Sequence, residues 1–327
     1  MSNLFIIRSP LQLLNAMEAI YHFDLFNDNN ILYVIETKGV SNSIQLKKLI
    51  NTFSWNQINW IESTKKSNFF KYINIIKKFK KNSYNYLFLG DYGNIHKIIM
   101  SNIKVNNICF LDDGTASVII HNKLLNNHST LKDTLKLIRF LPFGFSIKKV
   151  KDINFSIFNL KKTNNINIIQ NNMKKLKNNY DIDSFSLLND IVYLGQPLVE
   201  SNIISRDTYI KYFKNTIKNN FQKNNIKLFP HRGEEIEKTF KYLKDEFKNI
   251  DIFKNNLPIE KYFLENKLYP KTIVSFTSTA LFTLKILFPK SKIYYIELEK
   301  KYIFKNKQDN MNFIYKQLEN SNIVKLN

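Results

Sequence analysis

The chain has 327 residues, 44% of them hydrophobic with 27 Phe and 17 Tyr, which is enough length and apolar side chain for two cores and argues against a disordered chain despite abundant Asn and Lys. Its 49 Lys and Arg outnumber 27 Asp and Glu, and the formal charge of +22 suits polyanionic partners: acidic sugars, anionic lipid or nucleic acid. The lysines are scattered, with small clusters at Lys77-Lys78, Lys80-Lys81 and Lys161-Lys162, whereas a nucleic-acid module concentrates Arg and aromatics on one face, so nucleic acid is the least favoured of the three.

Leu4-Phe5-Ile6-Ile7 is a continuous apolar run of buried-strand type. It ends at Arg8, which is too soon for a secretory leader, and no apolar stretch reaches the roughly 20 residues of a membrane-spanning helix. Ser9 can cap and Pro10 can open a helix running through Ile20. Strands then fall near Ile31–Ile35, Ile58–Ile61, Tyr86–Leu89 and Asn107–Leu111, alternating with helices near Ser43–Thr52, Phe69–Lys80 and Asn94–Asn102. The one cysteine, Cys109, lies inside the last of these strands and reads as a buried thiol, which fits a reducing cytoplasm. Between Ser117 and Ser186 the periodicity degrades, and the passage between domains is placed there, dividing the chain into 1–180 and 181–327. A second series follows. Strands are expected at Ile191–Leu194, Ile226–Phe229, Ile250–Phe253, Thr272–Phe276 and Lys292–Glu297, and helices at Asp207–Phe221, Glu234–Phe247, Ile259–Asn266, Thr279–Leu287 and Asn310–Glu319. Alternation of this kind builds parallel sheets with helices on both faces, so the expected class is α/β, on the GT-B plan of two Rossmann-like domains facing a central cleft.

Open parallel sheets bind ligands at the carboxyl ends of their strands. Asp112-Asp113-Gly114 leaves such an end, and mutual repulsion of the carboxylates could raise one pKa toward that of a general base, although an Asp-Gly turn needs no function. Pro230-His231-Arg232-Gly233 leaves another, ahead of Glu234 and Glu235 at the expected start of a helix. Imidazole, guanidinium and free backbone N–H groups there make a phosphate site, or a polar capping loop. The other histidines, His22, His96, His121 and His128, have no comparable setting. Ser278 and Thr279 can cap a helix or bind phosphate, and Glu260, after Pro258, can hold a ribose diol or favour the helix dipole.

Taken in order, Ser9-Pro10-Leu11-Gln12, Asp112-Asp113-Gly114, Leu194-Gly195-Gln196-Pro197, His231, Pro258-Ile259-Glu260 and Ser278-Thr279 resemble the bacterial GT-B sialyltransferases, and glycosyltransferase family 52, the lipooligosaccharide sialyltransferases, in particular. The resemblance implies an inverting, metal-independent transfer of sialic acid from CMP-Neu5Ac to a terminal sugar, galactose first among them, of a bacterial surface glycan such as lipooligosaccharide or capsule. It makes Asp112 the base, with Asp113 as its neighbour and substitute, and His231 the phosphate ligand and general acid. Gly195, Gln196, Pro230, Arg232, Gly233, Glu260, Ser278 and Thr279 would bind the CMP donor, and Ser9, Gln12 and Gly114 the acceptor. The family's His-Pro is here His231-Arg232 and its Ser-Ser is Ser278-Thr279. Another CMP-activated nonulosonic acid or CMP-Kdo is therefore an alternative donor, and a basic nucleic-acid-binding protein is the alternative of another class. A CMP donor carries one phosphate, and the sequence has no DxD motif in a comparable position, so no cofactor or metal is expected. The expected partners are the CMP-sugar, a glycan or glycolipid acceptor and the anionic inner face of the cytoplasmic membrane as a peripheral attachment, with a homodimer left open.

Overall fold

The computed structural model describes residues 1–37, 39–62, 68–125, 131–147, 152–162, 166–240 and 243–326, and the chain divides into two compact units, Met1–Lys175 and Leu176–Asn327. The first contains β1 (Ser2–Ile7), α1 (Pro10–His22), β2 (Asn29–Glu36), α2 (Val40–Ile50), β3 (Gln57–Glu62), α3 (Asn68–Lys80), β4 (Ser83–Leu89), α4 (Asn94–Asn102), β5 (Lys104–Leu111), α5 (Thr115–Leu125), α6 (Leu131–Ile138), β6 (Asp152–Ser156) and β7 (Ile166–Gln170). Its strands pair in parallel in the order β3-β2-β1-β4-β5-β6-β7. Leu4, Phe5, Ile6 and Ile7 are at most 1% exposed, as expected of a strand covered on both faces. Ser9 caps α1, its hydroxyl accepting from the Gln12 amide, and Pro10 occupies the first turn. Cys109 is a buried free thiol.

The region from 117 to 186, in which the sequence shows little periodicity, holds more structure than expected. Most of α5, and all of α6, β6, β7 and α7 (Lys174–Asn178), lie there, and β6 and β7 extend the first sheet beyond β5. Both strands have five residues and carry an asparagine, Asn154 or Asn167, among their apolar positions, so neither makes the continuous run that marks β1.

The second unit contains β8 (Ser186–Leu194), α8 (Arg206–Thr216), β9 (Ile226–Phe229), α9 (Ile236–Phe240), α10 (Leu243–Glu246), β10 (Ile250–Ile252), α11 (Ile259–Glu265), β11 (Leu268–Ser275), α12 (Ala280–Leu287), β12 (Lys292–Tyr295), α13 (Gln308–Asn320) and β13 (Val324–Lys325). The sheet is again parallel, ordered β10-β9-β8-β11-β12-β13. β11 begins four residues before the expected Thr272, and its register with β8 shifts between Pro270 and Thr272, where proline has no N–H to give the ladder. The helix expected to open at Glu234 opens at Ile236 instead. Glu234 stays in the loop because its side chain accepts from the backbone N–H of His231 at 2.6 Å and its own N–H turns back to the His231 carbonyl.

In each sheet the strand order reverses direction once, between β1 and β4 and between β8 and β11, and such switch points open a crevice for ligands at the carboxyl edge. A glutamine spans each. Gln12 accepts from Arg8 N (2.7 Å) and donates to the Gly90 carbonyl (2.5 Å). Gln196 accepts from Thr277 N (2.6 Å) and donates to Thr277 Oγ1 (2.8 Å).

Candidate active site

In the first unit, Asp112 and Asp113 leave β5 and point to different environments. Asp112 is 3% exposed. Its carboxylate accepts from the Ile157 amide at 2.6 Å and from Ser156 Oγ at 3.0 Å, which ties the end of β5 to the end of β6. Burial pushes its pKa up to about 7 against those hydrogen bonds and one from Ser117, and repulsion by Asp113 is the smallest cause. Desolvation by the fold, rather than the mutual repulsion of the two carboxylates expected from their adjacency, supplies the shift. Asp113 is half-buried, accepts from Ser9 Oγ at 3.4 Å, and is also raised by burial while the Arg8 guanidinium opposes the shift. Gly114 follows at φ +71°, a left-handed conformation that suits glycine and turns the chain into α5. Arg8 pairs with Asp91 at 2.7 Å beside these carboxyls, an ion pair that no motif announced.

Ser9 and Gln12, expected to meet the acceptor, are occupied structurally. Ser9 caps α1, and Gln12 is fully buried with both ends of its amide bonded to backbone. A pocket opens beside them, lined by Gly90, Asp91, Asp112, Asp113, Ser117 and His121 among others. His121 was not singled out by the sequence motifs. It lies on α5 one turn beyond Ser117, and that i, i+4 spacing after the Asp-Asp-Gly turn is the signal that was available. His22 ends α1, His96 is buried on α4, and His128 lies outside the described residues.

In the second unit the loops after β8, β9 and β11 converge. Gly233 N donates to His231 Nδ1 at 3.0 Å, so the neutral ring carries its proton on Nε2 and is a donor there. Burial, with Arg232 adding, lowers the His231 pKa to about 4, so the ring is neutral near pH 7 and gives a hydrogen bond rather than an imidazolium proton. The free helix-start amides expected here are engaged: Glu235 N donates to Glu200 Oε1 and Ile236 N to the Glu234 carbonyl.

Beneath the loop sits Glu234. Its carboxylate takes the Tyr209 hydroxyl at 2.7 Å together with His231 N, and burial pushes it up to about 7. Gly195 passes so close that a Cβ there would collide with this carboxylate and with the backbone of Pro230. Ser278 Oγ accepts from Ala280 N at 3.3 Å, at the start of α12, and its hydroxyl can also donate; Thr279 is the N-cap residue of that helix. Glu260, in the first turn of α11, is buried and accepts from Thr283 Oγ1 on α12, and Arg232 acts on it electrostatically. Among the described residues no group of three or more His, Cys, Asp or Glu could hold a metal ion, and no helix is long and apolar enough to cross a membrane.

A family model described as Alpha-2,8-polysialyltransferase (POLYST) matches residues 3–297, from β1 past the end of β12. The chain belongs to this family. Family membership reaches both units and every loop described above. A search of curated proteins finds no match. Among solved structures, the Methanocaldococcus jannaschii UDP-GlcNAc 2-epimerase in complex with UDP-GlcNAc and UDP shares 14% identity over 98% of this chain and 92% of its own, with a TM-score of 0.54. The Staphylococcus aureus MnaA-UDP structure shares 9% identity over 97% of this chain and 88% of its own, with a TM-score of 0.55. At such identities the likeness carries the fold: two Rossmann-like domains of the GT-B class, as the alternation of elements predicted. The chain is thus a GT-B-fold glycosyltransferase related to the sialyltransferases, and the family match does not single out family 52.

Proposed function

We propose that the chain transfers sialic acid from CMP-Neu5Ac, with inversion and without a metal ion, to the 8-hydroxyl of a terminal sialic acid on a bacterial surface glycan such as capsule. The reading rests on the family match over residues 3–297, and the α2,8 linkage comes from that family's description. The site chemistry agrees with it. A buried carboxyl with a pKa near the working pH is a competent base, and a carboxylate oxygen holding one hydrogen bond keeps a lone pair for another. Asp112 takes the proton of the acceptor hydroxyl, whose oxygen bonds to the anomeric carbon as the bond from that carbon to the phosphate oxygen breaks. The electron pair leaves with CMP. His231 Nε2–H, the Arg232 guanidinium and the Ser278 and Thr279 hydroxyls stabilise the phosphate, and Glu260 accepts from the ribose hydroxyls. A single phosphate gives a leaving group that these donors can neutralise. Work on an anionic polymer at the inner face of the cytoplasmic membrane suits a chain of net charge +22.

The test is CMP release and product linkage after incubation with CMP-Neu5Ac and acceptors ending in sialic acid or in galactose, with and without EDTA. Release that needs a sialic-acid terminus, gives an α2,8 bond and ignores EDTA supports the proposal. Transfer to galactose alone moves the acceptor, turnover with CMP-Kdo alone moves the donor, and loss of activity with EDTA removes the metal-free step.

A further inference from the structure

His121 is 4% exposed and lines the pocket next to the Asp112-Asp113 turn. Its Nε2 lies 2.9 Å from the Lys161 carbonyl oxygen. A carbonyl only accepts, so the proton sits on Nε2 and Nδ1 bears a lone pair. Burial holds the ring below the usual histidine range, which keeps it neutral and the lone pair available near pH 7. Among the described residues Nδ1 has no hydrogen-bond partner. Leaving a buried acceptor unsatisfied is unfavourable, so the site favours whatever brings it an O–H or N–H.

The rest of the lining says what that would be. Asp113 adds acceptor oxygens, the Asn154 amide can give or take a hydrogen bond, and Phe110, Ile120 and Leu160 supply apolar surface. Acceptors clustered beside an apolar wall suit a polyhydroxylated ring, which offers O–H groups at its rim and C–H groups on its face. We infer that His121 Nδ1 accepts a hydrogen bond from a hydroxyl of the acceptor saccharide and so holds that sugar against the Asp112-Asp113 turn. The inference deepens the sialyltransferase reading and rests on it for the identity of the sugar.

The experiment follows the imidazole nitrogens of His121 by NMR in the full chain, assigned by loss of the signal in His121→Gln, during titration with α2,8-linked trisialic acid and no donor. A saturable shift of the unprotonated nitrogen is expected. No shift at saturating trisialic acid overturns the assignment whether or not the wild type transfers, and a nitrogen already hydrogen-bonded in the free protein and unmoved marks a bound water only, which overturns it too. A shift without any transfer keeps the saccharide site and overturns the sialyltransferase reading instead. In steady state, His121→Phe should raise the acceptor KM roughly tenfold with the donor KM unchanged, and His121→Gln, which restores an acceptor oxygen, should recover part of it. Unchanged acceptor KM in both variants contradicts the inference.

Discussion

Asp112 is a buried and Glu234 a half-buried carboxyl, each held by a backbone amide and each pushed to about 7 by desolvation. Their titration enters the stability of the fold. The Asp112 carboxyl is protonated in both states below about pH 4 and ionised in both above about 7, so wild-type stability falls as pH rises through that window. Asparagine does not titrate. Asp112→Asn should therefore gain stability relative to wild type between pH 5 and pH 8, by on the order of 3 kcal/mol at most, read as the change in the Tm difference. An equal difference at both pH values contradicts the buried, raised carboxyl. Glu234 has another task, since its two oxygens hold Tyr209 and the His231 amide at once. Glu234→Gln puts an amide N–H against one of those donors. CMP affinity should fall roughly tenfold by calorimetry, through displacement of the His231 loop, and wild-type affinity would show that the loop does not depend on this carboxylate.

At the scale of elements, the close passage of β8 and β9 depends on Gly195. Alanine there meets the Glu234 carboxylate, which can shift, and the Pro230 backbone, which cannot without opening the sheet edge. Gly195→Ala should cost about 1–3 kcal/mol in denaturant unfolding, and an unchanged midpoint would mean that the edge is loose. The same scale shows what was legible in the sequence. β1, β4, β5 and β8 end in unbroken apolar runs and were read closely, because burial on both faces leaves few other residue choices. β6 and β7 escaped notice because they are short and interrupted by asparagine, and the partners of Asp112 escaped with them, since Ser156 and Ile157 reach it only once β6 pairs with β5. His121 and Glu234 share the cause. Each sits within eight residues of a recognised motif, but its role depends on a partner supplied by the fold, the Lys161 carbonyl for one and Tyr209 for the other.

For the whole molecule the excess of 49 basic over 27 acidic residues is a field as well as a composition. An acceptor built of sialic acid is a polyanion, so its encounter should be screened by salt over a Debye length of about 8 Å at 0.15 M. The acceptor KM for a sialic acid oligomer should rise from 50 to 300 mM NaCl while CMP affinity changes less, and indifference to salt would leave the charge without a part in acceptor recognition. The central claim is that Asp112 is the base of a CMP-sugar transfer whose donor is held by the second unit. Its most direct test is the kcat for sialic acid transfer by wild type and Asp112→Ala, with the Kd for CMP measured on the same preparations. The account predicts a loss of about 10²–10⁴-fold in kcat and a CMP Kd within twofold of wild type. Full activity in the variant, or loss of CMP binding along with activity, would contradict it.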